Sequence, residues 1–182
     1  PLRSHQGALH LARWDARRPG VLELMRDACQ ATGTQAPQPD QRQTLVQALA
    51  KRGHPETALA CLQDLPATPE TQLAIGRSLL LHGDPDAGTE QLLTLAQTHL
   101  DHPASLEAAR ILSEPLNPEP GVLDALPDAL QERSAAVTAA RVRLAGGNGA
   151  DAALSHWPND PDIWQLQWDL AREAFLAGDW ER

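Results

Sequence analysis

The sequence has no tyrosine, one phenylalanine, one methionine and a single lysine, Lys51. Strands draw on aromatic and β-branched side chains, and a chain short of both is a poor sheet former. Its apolar residues are mainly leucine and alanine, which lose little freedom in a helix. An all-α fold is therefore expected. No apolar run approaches the roughly 20 residues that a helix needs to cross a bilayer, so no membrane span is expected. Positive charge is nearly all arginine, and the formal net charge is −9. Such a chain repels a phosphate backbone, and no arginine stripe reverses that locally, which argues against nucleic acid as a partner. Of cysteines there are two, Cys29 and Cys61, with no CxxC or metal-type spacing around them. Each sits in an apolar helical context, and both are read as small buried residues rather than as a disulfide or a reactive thiol. No signal peptide is visible, and a chain that opens on "PLRSHQGALH" without Met reads as a processed or excised piece. The compartment is left open.

What the sequence does have is dense helix punctuation. Fifteen prolines and twelve glycines fall mostly between the Leu/Ala runs rather than inside them. That placement suits many short helices with sharp ends. The pattern predicts helices at about 4–14, 20–32, 40–52, 55–65, 69–82, 85–100, 103–114, 129–145, 150–156 and 161–177. Pro19 suits the first turn of "PGVLELMRDAC", since its missing N–H has no partner there to lose. Asp40 is expected to cap "QRQTLVQALAKRG", and Gly53 to take the left-handed conformation after it. In "TPETQLAIGRSLLLHG", Thr68 is the expected cap and Gly83 the stop, with Leu73, Ile75, Gly76, Leu79 and Leu80 on a broad buried face.

Three turns share one scheme: "KRGHPETAL", "LHGDPDAGT" and "LAGDWER" each end a helix in Gly and open another after an acidic or proline-bearing turn. Gly53 and Gly83 are 30 residues apart, a spacing of helical pairs that marks an α-solenoid. At this point the chain resembles the tetratricopeptide repeat (TPR) family. That family places a small residue in mid helix A, Gly seven positions on, and Ala five positions after that. Gly76, Gly83 and Gly88 follow this spacing, with Ile75 and Leu79 beside them; Gly53 with Ala58, and Ala171 with Gly178, follow part of it. Val46 replaces the small residue in its unit. Leu170 packs beside Ala171, and Pro161 stands where the family's inter-repeat proline belongs. The resemblance implies a right-handed superhelix of antiparallel hairpins over a single domain, 1–182, regular over 40–100 and 150–182. The proline-rich stretch 113–130 breaks the period.

The segment "HWPNDPDIWQLQWDLAREAFLAGDWER" is also similar to the helical superhelix domain of bacterial soluble lytic transglycosylases. In those enzymes the superhelix is non-catalytic and supports a separate lysozyme-like domain that cuts peptidoglycan with a Glu. That match covers about thirty residues, and no catalytic residue is carried over from it. Because "GDWER" reads as the start of a further helix, the chain is expected to be an excerpt of a longer one.

No constellation for chemistry stands out. His99 and His102 flank Asp101 three apart, but no third ligand is in register, and the pair is read as histidines at a helix C-terminus. "GGNGAD" (146–151) follows a helix and lacks the Lys and Ser/Thr of a phosphate loop, so it is read as a turn. Asp84/Asp86 and Glu114/Glu119 fall in loops between helices, where nothing desolvates a carboxyl enough to raise its pKa. No catalytic residue, metal or cofactor is expected. Trp164 and Trp168 are read as packing residues between the last repeats, with Trp168 the exception most suited to a ligand. If the TPR register holds, Gln43, Gln47, Arg77, Trp168 and Arg172 project onto the concave face and grip carboxylates of a peptide or glycan. The expected function is a non-catalytic scaffold that binds a protein or peptide, or packs against the rest of its own chain. The alternative is the supporting superhelix of a peptidoglycan lytic transglycosylase, which implies the periplasm; otherwise the cytoplasm is expected.

Overall fold

The computed structural model describes residues 20–33, 36–62, 65–114 and 120–178. Among them are eleven α-helices and no strand. They are α1 Val21–Gln30, α2 Pro39–Ala50, α3 Pro55–Leu62, α4 Pro69–His82, α5 Pro85–Thr98 and α6 Pro103–Ser113. After these come α7 Pro120–Asp124, α8 Asp128–Gln131, α9 Ala135–Leu144, α10 Ala150–His156 and α11 Pro161–Ala177. Proline opens seven of the eleven. The expected helix over 4–14 and the role of Pro19 lie outside the described residues.

The described residues gather into two compact units, one ending at Leu95 and one beginning at Ala96. In the first, α2 packs on both α3 and α4, and α1 leans on α2 and α3. Met25, Leu45, Val46, Leu49, Ala58 and Ile75 form its buried centre. Cys29 and Cys61 are joined as a disulfide that ties α1 to α3. The two cysteines are buried as expected, but they are not separate small residues: helix packing brings together positions 32 apart in sequence. Gly88 of α5 packs against α4 so closely that a β-carbon there would stand 2.9 Å from Gly76 O and 2.5 Å from Leu80 N. No other residue fits that crossing without movement of backbone.

The helix ends follow local chemistry, with one correction in this unit. Thr68 caps α4, its Oγ1 accepting from Thr71 N at 3.3 Å, and Gly53 turns left-handed after α2 at φ 76°. Asp40, however, lies inside the first turn of α2. The cap is Gln38, whose backbone N–H donates to Gln41 Oε1 at 2.9 Å while its side chain accepts in return. Proline at 39 starts the helix two residues earlier than Asp40 as a cap would allow. Gly83 does end α4, yet at φ −135° it is not left-handed. Crowding selects glycine there, because a β-carbon would meet Pro55 Cγ at 3.1 Å and Leu79 Cδ2 at 3.3 Å.

In the second unit α9 is the central helix, packing on α6, α10 and α11. Alanines supply much of its contact surface: Ala135, Ala136, Ala139 and Ala140 are all buried, which lets helices approach closely. The stretch expected as one helix over 129–145 is broken. α8 stops at Gln131, and Ser134 starts α9 anew by accepting from Val137 N at 3.4 Å. His102 caps the start of α6 rather than closing α5: its Nδ1 accepts from Ala104 N at 3.1 Å. "GGNGAD" is a turn, with Gly146, Gly147 and Gly149 at φ 62°, 87° and 90°.

Candidate interaction surface on α11

α11 is the longest described helix, and it is held in three ways. Asp160 caps it, Oδ1 accepting from Asp162 N at 2.9 Å, and Pro161 occupies its first turn. One edge is buried: Ile163 and Leu166 pack with Ala139, Val142 and Ala153. A second edge is pinned by charge, where Arg143 of α9 reaches Asp169 Oδ2 through Nε at 3.1 Å and Nη2 at 3.0 Å. Gln165 Nε2 donates to Asp169 Oδ1 at 2.8 Å and fixes the carboxylate from the other side.

Much of the rest of α11 faces outward and carries four large apolar side chains among its polar ones. Trp164 is 55% exposed, Trp168 68%, Phe175 62% and Leu176 72%. Trp164 and Trp168 are one turn apart, so their rings stand on the same side of the helix. Trp164 Nε1 donates to Pro158 O at 3.1 Å, which orients that ring along the turn before α11. Trp164 and Trp168, read from the sequence as packing residues between the last repeats, are exposed among the described residues, and Ile163 and Leu166 take the buried edge. Trp157 is the indole that packs, lying partly buried against the same cluster.

Beside the indoles runs a trough of about 930 Å³ between α11 and the segment from Ala145 to Leu154. Leu154, Leu166 and Leu170 are among the residues that line it, with Asp151 and Glu173 exposed along its sides. No arginine, lysine or histidine lines it.

The other expected binding residues have different surroundings. Gln43 and Gln47 are one turn apart on α2 and partly buried. Gln43 Nε2 donates to Pro66 O at 2.7 Å, and Gln47 Nε2 donates to Thr71 Oγ1 at 3.0 Å, so both amides bind α4 and the segment leading into it. Arg77 is exposed on α4, and Arg172 is exposed one turn beyond Trp168. Only Trp168 and Arg172 lie together on an open face of one described helix. The trough walls Asp151, Leu154 and Glu173 escaped sequence reasoning, because a groove exists only once α10 and its turn are set beside α11.

Of the paired acids read from the sequence, Asp84 and Glu114 have structural partners, and Glu119 lies outside the described residues. Asp84 caps α5, its Oδ1 accepting from Asp86 N at 3.0 Å and Ala87 N at 3.2 Å. Glu114 and Glu107 both bind Arg110. The hydrogen bond to Glu107 is the main reason that guanidinium holds its proton more tightly than usual. Asp162 has a raised pKa, chiefly through burial and then through the neighbouring charge of Asp160. Among the described residues no group of three His, Cys, Asp or Glu is placed to hold a metal ion, and no helix is long and apolar enough to cross a membrane.

Set against known proteins, the chain matches no family model, no curated protein and no solved structure.

Proposed function

We propose that this chain is a non-catalytic helical interaction module, a TPR-like array of antiparallel hairpins whose α11 carries the partner-binding surface. The exposure of Trp164 and Trp168 on successive turns carries this reading. An indole left in water forfeits the stabilisation that burial would bring, on the order of 2 kcal/mol for a large apolar side chain. Aromatic residues and arginine are also the side chains that most often anchor interfaces, and Arg172 stands one turn from Trp168. Its guanidinium offers a two-pronged contact to a carboxylate. The close crossing of Gly76 and Gly88 supports the hairpin register on which the TPR likeness rests.

A displayed random-peptide library selected on the chain, then counter-selected on a Trp164→Ala/Trp168→Ala variant, tests the reading. Peptides that hold the parent and release the variant are expected. A selection that yields only binders indifferent to both indoles sinks it.

The disulfide favours a second reading, the supporting superhelix of a peptidoglycan lytic transglycosylase. Disulfides persist in oxidising compartments such as the periplasm and are rare in the cytosol. Exposed indoles also suit the apolar faces of sugars. Under this reading the chain co-sediments with purified peptidoglycan and loses that property on Trp168→Ala. A chain that stays in the supernatant counts against it.

A further inference from the structure

We infer that the trough between α11 and the segment from Ala145 to Leu154 takes a cationic amphipathic helix of a partner protein. This inference rests on the interaction-module reading and commits it to one ligand chemistry. The apolar surface that the trough offers comes from Leu154, Leu170 and Ala174, which are partly buried, and from the exposed Ala171, with the fully buried Leu166 behind them. On the α11 side the lining runs from Leu166 to Ala177, roughly 17 Å along the axis, which matches about three turns of a second helix.

Charge decides the kind of helix. Asp151 and Glu173 stand exposed along the trough, and among the described residues neither is in an ion pair. No positive side chain lines it, and the whole chain carries a formal −9. A helix with leucine or alanine on its inner face and lysine or arginine on its flanks would bury the floor and meet both carboxylates. Complementary charge raises the encounter rate and rejects acidic competitors. A second copy of this acidic chain would bring like charge to the same sides.

The probe is a synthetic amphipathic peptide of about 14 residues, long enough to span the trough as a helix. One version carries lysine flanks and the other glutamate flanks on the same Leu/Ala face, and binding is read by tryptophan fluorescence and calorimetry. The lysine peptide is expected to bind and to weaken as salt is raised. It should lose on the order of tenfold in affinity on Asp151→Lys/Glu173→Lys, while the glutamate peptide gains on that same variant. Both positions are exposed, so folding survives, which circular dichroism checks. Ala174→Trp, which fills the floor, should abolish binding of either peptide. The inference is overturned if both peptides bind the parent equally, if the lysine peptide does not bind, or if its binding ignores all three substitutions. It is also overturned if sedimentation shows a dimer that Ala174→Trp disperses, because a second copy is then the occupant. Selected peptides that need Trp164 and Trp168 but ignore Asp151, Glu173 and Ala174 would refute this inference while leaving the interaction module standing.

Discussion

Gly88 faces Gly76 across the α4–α5 hairpin with no room for a methyl group: a β-carbon on Gly88 would stand 2.9 Å from Gly76 O. The same atom would stand 2.5 Å from Leu80 N, and backbone does not step aside as a side chain does. Gly88→Ala should therefore cost about 3 kcal/mol, despite alanine's better helix propensity. Gly76 is the milder partner. A β-carbon there meets Leu92 Cδ2 and Cγ at 2.8 Å, atoms near the tip of a side chain that can turn. Gly76→Ala should cost less than Gly88→Ala, and Gly76→Leu should overpack by about 1–3 kcal/mol. Thermal and urea denaturation of the three variants check the order. A Gly88→Ala variant as stable as the parent would rule out the hairpin geometry.

Cys29 and Cys61 close a loop across a sequence separation of 32. By chain entropy such a cross-link stabilises by about 3–4 kcal/mol. Reduction with dithiothreitol, or Cys29→Ser/Cys61→Ser, should lower the melting temperature and free α1 to be cut by protease first. Mass spectrometry under non-reducing conditions should show no free thiol. Two alkylatable cysteines in the folded, air-oxidised protein would contradict the bond.

Trp168 should be replaceable at little cost to folding. The residue is 68% exposed, so Trp168→Ala should change stability by no more than about 0.5 kcal/mol. Leu166, two residues away and fully buried, should cost about 2–5 kcal/mol on Leu166→Ala. Acrylamide should quench the emission lost on Trp168→Ala more readily than the emission that remains. A Trp168→Ala variant that unfolds like Leu166→Ala would put the indole in the core.

Asp162 makes stability depend on pH in a stated direction. Its folded pKa is raised, mainly by burial, so the ionised form is disfavoured by folding. The penalty is full at neutral pH and is relieved as pH falls through the raised value toward the ordinary carboxylate range. Asp162→Asn removes the charge, so its stability relative to the parent should be highest near pH 7 and shrink toward pH 4. Paired thermal melts across that range check the trend. A difference that grows on acidification would mean the charge is stabilising where it stands.

Much of the secondary structure is determined by short windows of sequence. Thr68 accepts Thr71 N, Pro69 and Pro161 sit in first turns, and Gly53 turns left-handed, because each depends on chemistry within about four residues. The Leu/Ala bias disfavours a sheet for the same local reason, and no strand forms among the described residues. Even local signals compete, however. Pro39 prevails over Asp40 as the start of α2, and Ser134 divides a run whose apolar period continues through it.

Tertiary structure decided the rest. Cys29 and Cys61 become a bond only because α1 and α3 are brought side by side. Trp164 and Trp168 carry the same helical spacing whether buried or exposed; which edge of α11 turns inward depends on the alanines of α9 and the pull of Arg143 on Asp169. Gln43 and Gln47 likewise read as outward residues until α4 and the segment before it supply Thr71 and Pro66 as their partners. The acidic trough has no linear signature, since its walls come from two stretches of chain and its charge from one residue on each. Hydrogen-bond capping and backbone dihedrals act between near neighbours, whereas burial is settled by the faces that meet when distant helices pack.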